Sequence, residues 1–152
     1  MNKNNIIIYV SSRNNYDMLS GEVLKNINTE GFEFINVDDK SSNEEIEKGK
    51  KICQDNDIVF LENTLRGVQW ATQTLIDFIN ENRPECKWIF CFQHDNYPIS
   101  ENFFSRINKL ISDDLVWPGA RKNAKNSRYI LFFDFKFDFD HEIRCVASFY
   151  SK

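Results

Sequence analysis

The stretch Lys87–Ser100, Lys-Trp-Ile-Phe-Cys-Phe-Gln-His-Asp-Asn-Tyr-Pro-Ile-Ser, constrains the fold more than any other. Trp88 to Phe92 is an unbroken apolar run, the pattern of a strand covered on both faces of a sheet. Polarity then switches at Gln93-His94-Asp95-Asn96, Pro98 stops the strand, and Ser100 can cap a following helix. Such a strand delivers His94 and Asp95 to the carboxyl edge of the sheet, where open α/β sheets bind their ligands. An Asp-Asn-x-Pro segment is also ordinary turn chemistry, so the rest of the chain decides between a loop and a site.

Upstream, strands and helices alternate. Ile6 to Val10 is a β-branched run that opens into the polar loop Ser11-Ser12-Arg13-Asn14-Asn15. Met18, Leu19, Val23, Leu24 and Ile27 then recur at helical spacing, predicting a helix over about Tyr16 to Asn28. Phe32 to Val37 reads as a second strand, and Asp38 to Asn43 as a loop in which Ser42 or Asn43 caps the next helix. That helix, about Asn43 to Gln54, is highly charged and is expected at the periphery. Asp57 to Leu61 is a third strand, followed by a polar loop from Glu62 to Gly67. A helix over Val68 to Asn82 follows, with Trp70, Ala71, Leu75, Phe78 and Ile79 on its inner face, and Pro84 closes it. This alternation predicts an α/β fold with a mostly parallel sheet and right-handed crossovers.

After a helix at about Glu101 to Ile111 the character changes. Phe133-Asp134-Phe135-Lys136-Phe137-Asp138-Phe139-Asp140 alternates with period two, as a strand with one wet face does. Asp140-His141 reads as a turn and Glu142 to Tyr150 as the returning strand of a C-terminal antiparallel hairpin. The aromatic face of that hairpin needs cover and could serve as a homodimer surface.

With 152 residues, the chain is expected to be one domain spanning 1–152. A net charge of −4 without any Lys/Arg cluster argues against a nucleic-acid partner. No apolar run reaches the roughly 18 residues of a membrane span, and the N-terminal run is too short for a signal peptide, so a cytoplasmic location is expected. Cys53, Cys86, Cys91 and Cys145 form no Cys-x-x-Cys pair and are read as small buried hydrophobes or left without a chemical role. Neither a Gly-x-Gly-x-x-Gly nor a Walker-type loop occurs.

Four strand-end loops, over roughly residues 5 to 120, together resemble the nucleotide-sugar-binding half of a family 2 glycosyltransferase of GT-A fold. They are Val10-Ser11-Ser12-Arg13-Asn14, Val37-Asp38-Asp39-Lys40-Ser41-Ser42-Asn43, Asn63-Thr64-Leu65-Arg66-Gly67 and Gln93-His94-Asp95-Asn96-Tyr97-Pro98. The resemblance implies a Rossmann-like domain that binds a nucleotide-diphosphate sugar with Mn²⁺ or Mg²⁺. It further implies transfer of the sugar to a glycan or other acceptor in polysaccharide or glycoconjugate biosynthesis. On that basis Ser11 and Asn14 would line the base pocket, and Asp38 and Asp39 would hold the nucleoside. Arg66 would pair with the pyrophosphate, and Asp95, with His94, would hold the metal. Each has a plainer alternative: turn chemistry for Ser11 and Asn14, helix capping for Asp38 and Asp39, a solvated surface charge for Arg66, and packing beside Tyr97 for His94. Gln93 stands where the family carries the first carboxylate of its metal signature, and a neutral amide is the poorer ligand for a hard cation. No candidate for a catalytic base is evident, so a non-catalytic module that binds a nucleotide sugar or a partner protein is the alternative.

Overall fold

The computed structural model describes residues 6–26, 32–86, 88–93, 129–133 and 145–148. These residues form an α/β structure around one six-stranded sheet. The strands are β1 (Ile6–Ser12), β2 (Glu33–Asp38), β3 (Val59–Glu62), β4 (Trp88–Gln93), β5 (Tyr129–Phe133) and β6 (Cys145–Ser148). Their order across the sheet is β3-β2-β1-β4-β5-β6. All neighbours run parallel except β5 and β6, which are antiparallel.

The first helix, α1, begins at Tyr16–Met18, widens into a π-helical turn at Leu19–Val23 and ends at Leu24–Asn26. The uniform helix expected from the apolar spacing is thus interrupted, while Leu19 and Val23 still reach the core. Two regular helices follow, α2 (Asn43–Asp55) and α3 (Val68–Asn82). Ser42 is the cap of α2, its hydroxyl accepting from the backbone N–H of Glu45 at 3.4 Å.

Period-two alternation along the strands separates two apolar layers. Ile6, Ile8, Val10, Phe34, Phe90 and Phe92 pack with Tyr16, Leu19 and Val23 of α1 and Cys53 of α2. Ile7, Tyr9, Ile35, Val37, Ile89 and Cys91 face the other way and pack on Ala71, Leu75, Ile76 and Ile79 of α3. Each fully buried Leu or Ile contributes roughly 1.5–3 kcal/mol, which is what docks α3 against the sheet. Trp70 departs from expectation: it is 44% exposed rather than on the inner face of α3. It precedes the buried Ala71 by one position, and a 100° step carries it off the apolar stripe.

The chain proceeds β1-α1-β2-α2-β3 in one direction across the sheet, then crosses by α3 to β4 on the other side of β1. The reversal of direction lies between β1 and β4. At such a switch point the flanking loops diverge to opposite faces and leave a crevice. The C-terminal expectation needs adjustment. The strand next to β4 is Tyr129–Phe133 and runs parallel to it, upstream of most of the alternating aromatic stretch. The antiparallel partner, β6, lies within the expected returning strand, and the segment joining the two is outside the described residues.

Candidate functional site

The strand register brings the polar loop residues to one edge. Across the sheet Glu62 of β3 is level with Asp38 of β2, Asp38 with Ser12 of β1, and Ser11 with Gln93 of β4. Parallel topology makes this edge the carboxyl end of every strand from β1 to β4. The same alternation that divides the core also divides the candidate residues between the two faces.

On the α1/α2 face a buried polar network fills the space below the edge. The Tyr16 hydroxyl donates to Asp38 Oδ2 at 2.7 Å and accepts from Asn36 Nδ2 at 3.3 Å, while Ser12 Oγ donates to Asn36 Oδ1 at 2.6 Å. Tyr16, Ser12 and Asn36 are fully buried and Asp38 is 1% exposed. Burial and the adjacent Asp38 carboxylate push the Tyr16 phenol well above the usual tyrosine range, so it remains a donor at every physiological pH. The second oxygen of Asp38, Oδ1, accepts from the backbone N–H of Ser41 at 3.0 Å and closes a turn in which Lys40 adopts φ 63°. That left-handed conformation is costly for a lysine, and the buried carboxylate holds it in place.

Asn14 is equally committed. Its Oδ1 accepts from the Ser42 N–H at 2.8 Å and its own N–H donates to Ser41 Oγ at 2.9 Å, with Asn14 at φ 49°. Glu45 of α2 accepts from the Tyr16 N–H at 3.2 Å and so caps α1 from another helix. The loops after β1 and β2 are therefore joined into one rigid rim.

On the α3 face lie Asp39 and Ser11. Asp39 Oδ1 accepts from the Gly67 N–H at 2.6 Å and from Asn63 Nδ2 at 2.9 Å. Gly67 caps α3 at φ 126°, a conformation that only glycine adopts without strain. Asp39 is 7% exposed, and its second oxygen, Oδ2, has no hydrogen bond among the described residues. The Tyr9 hydroxyl sits beside Ser11, Thr72 and Asp39 without meeting any of them in hydrogen-bonding geometry. Desolvation raises its ionisation far above the ordinary tyrosine value, with the neighbouring Cys91 adding to the shift. Arg66 is exposed on the loop between Asn63 and Gly67. Arg13, on the rim loop of β1, has a buried Nε without an acceptor among the described residues.

The candidate residues therefore share an edge but not one set of contacts. Ser11, Asp39 and Arg66 belong to the α3 side, whereas Asp38 and Asn14 hold the rim together on the α1/α2 side. His94 and Asp95 lie outside the described residues. No three His, Cys, Asp or Glu side chains converge to hold a metal among the described residues. Tyr16, Ser12, Asn36 and Asn63 were not candidates in the sequence. The readable signal was Asn36, a polar residue inside the apolar run Phe34-Ile35-Asn36-Val37, which burial obliges to find partners.

No protein-family model matches this chain, and no curated protein matches it. Among solved structures it is similar to the crystal structure of S. aureus TarS, a glycosyltransferase, with a TM-score of 0.52 at 14% identity. The match covers 72% of this chain and 20% of the TarS chain, so the matched part spans about a fifth of that longer polypeptide. At that identity the similarity is one of fold: this chain has a Rossmann-type α/β fold.

Proposed function

We propose that this protein is the donor-binding domain of an inverting, family 2-like glycosyltransferase, which takes a nucleotide-diphosphate sugar and serves its transfer to an acceptor glycan or glycoconjugate. The observation that carries this is the rim at the carboxyl edge. Asp38 ends β2 and Asp39 follows it, beside a β1/β4 switch point in an α/β fold similar to that of TarS.

The residues then divide the work. Asp38 is not offered to the ligand; it fixes the turn that presents Asp39. Asp39 Oδ2, which has no hydrogen bond among the described residues, is suited to accept from a nucleobase N–H or a ribose hydroxyl, and Ser11 lies on the same face. Arg66, exposed on the loop that precedes α3, supplies a further cation. Negative charge grows on the departing diphosphate during transfer, so cations aimed at it lower the barrier. A divalent Mn²⁺ or Mg²⁺ would supply Lewis-acid stabilisation there, with Asp95 and His94 the residues proposed to hold it alongside phosphate oxygens and water. No helix among the described residues is long and apolar enough to cross a membrane, and a cytoplasmic location is proposed with this function.

Thermal unfolding with UDP, dTDP and GDP sugars, with and without Mn²⁺, tests the assignment. A bound donor at a hundredfold excess over its Kd stabilises the fold by about 2.7 kcal/mol. No shift with any of the three, with or without the cation, would refute donor binding. Gln93 at the position of the family's first metal-site carboxylate favours the alternative of a non-catalytic nucleotide-sugar module. A shift without sugar transfer or release would establish that alternative instead.

A further inference from the structure

We infer that Arg13 is the residue that engages the diphosphate of the bound nucleotide. This rests on the nucleotide-binding assignment above and adds to it a residue from the loop at the switch point.

Three observations converge on Arg13. First, its Nε is shielded from solvent and has no hydrogen-bond acceptor among the described residues. Guanidinium cannot shed its proton at any physiological pH, so an unanswered shielded N–H is a standing cost that a turn of the side chain onto a bound acceptor would remove. Second, Arg13 forms no ion pair among the described residues, whereas Arg83 is clamped by Glu33 and Lys48 and Lys50 are each paired with carboxylates. Asp38 is committed to Tyr16 and Ser41 and Asp39 Oδ1 to Gly67 and Asn63, and neither carboxylate pairs with Arg13. Third, Arg13 directly follows Ser12, the last residue of β1, and β1 is one of the two strands, β1 and β4, between which the chain reverses direction across the sheet.

Arg66 is less favourably placed for the same task. Its loop springs from β3, two strands from β1, which is roughly 10 Å at the usual strand spacing. An anion in the crevice is therefore nearer the root of Arg13. A diphosphate suits that position because it offers oxygens to the planar guanidinium fork, including the inward Nε–H. The neighbouring Asn14, held at both its backbone and its side chain by Ser41 and Ser42, keeps the loop from drifting away.

Calorimetry with inorganic pyrophosphate and with UDP, on the parent chain and on Arg13→Gln, Arg13→Lys and Arg66→Gln, tests this. Arg13→Gln should weaken both ligands at least about 10-fold, the effect of removing one charge-assisted contact. It should leave the melting temperature of the free protein unchanged or higher, because it removes an unsatisfied buried donor. Arg13→Lys keeps the charge but loses the fork and should also weaken both, which gives the same comparison if the glutamine variant does not fold. Arg66→Gln should cost less for pyrophosphate than Arg13→Gln does. Parent-like pyrophosphate and UDP binding by Arg13→Gln would overturn the inference while leaving nucleotide binding intact. A parent that binds neither ligand would overturn both. A lowered melting temperature with unchanged pyrophosphate affinity would make Arg13 a structural residue.

Discussion

Tyr16→Phe isolates the contribution of the buried network beneath the rim. The substitution keeps the ring, which is fully buried, lies 6.1 Å from the Phe60 ring between centroids and covers Gly49. Only the hydroxyl goes, so the cavity is at most one oxygen. Two contacts vanish with it: donation to Asp38 Oδ2 at 2.7 Å and acceptance from Asn36 Nδ2 at 3.3 Å. A hydrogen bond to a charged group is worth about 1.5–3 kcal/mol, and the longer amide contact adds about 0.5–1. The sum is about 2–4 kcal/mol, or roughly 5–12 °C in Tm for a chain of this length. Urea unfolding followed by tryptophan fluorescence measures it, and a double-mutant cycle with Asp38→Asn isolates the pair. The coupling energy should reach about 1.5 kcal/mol. A loss under about 0.5 kcal/mol for Tyr16→Phe, or a coupling near zero, would refute the claim that this hydroxyl holds Asp38 in place.

Gly49→Ala should be among the most destabilising substitutions in α2, costing about 1–3 kcal/mol, because a Cβ there would overlap the ring of Tyr16; pairing it with Tyr16→Ala should recover part of the loss in urea unfolding. Asp39→Asn should leave Tm within a few degrees yet weaken nucleotide binding, since it keeps Oδ1, which holds Gly67 and Asn63, and changes the oxygen that has no hydrogen bond among the described residues; calorimetry with UDP separates this from a purely structural role. Stability should fall as pH rises from 9 toward 12. Burial pushes the Cys53 thiol up to about 12, so the native state keeps a proton that the unfolded chain releases above pH 9, and the buried Cys91 acts in the same direction. Urea midpoints at pH 8 and pH 10.5 test this, and a higher midpoint at pH 10.5 would contradict it. Glu33→Gln should cost under about 1 kcal/mol and become smaller in salt, because the Arg83–Glu33 pair, though bidentate, is partly exposed.

Much of the frame was legible in the sequence because it depends on local periodicity. The apolar runs at Ile6, Phe34, Val59 and Trp88 and the 3.6-residue stripe Ala71-Leu75-Ile79 are fixed by which side chains must leave water, and the strands and helices fall where those patterns place them. The helix cap at Ser42 or Asn43 was equally local, and the structure picks Ser42, whose hydroxyl accepts from the Glu45 N–H only three residues on. The grouping of the strand-end loops on one edge followed from the parallel alternation alone. What each residue does at that edge required the tertiary structure. Asp38 and Asp39 are neighbours in sequence, yet the period-two pleat turns one toward Tyr16 and Ser41 and the other toward Asn63 and Gly67. Nothing in a local window reveals that Tyr16 reaches a carboxylate 22 positions away, or that Glu45 caps a helix 29 positions upstream. The same holds for Arg13, whose buried Nε becomes conspicuous only once the packed loop excludes both water and acceptors. Sequence determined where polar groups had to accumulate, because hydrophobic burial is read residue by residue. Tertiary structure decided which of them were spent on one another and which were left without a partner among the described residues, because hydrogen-bond satisfaction depends on partners brought together only by the fold.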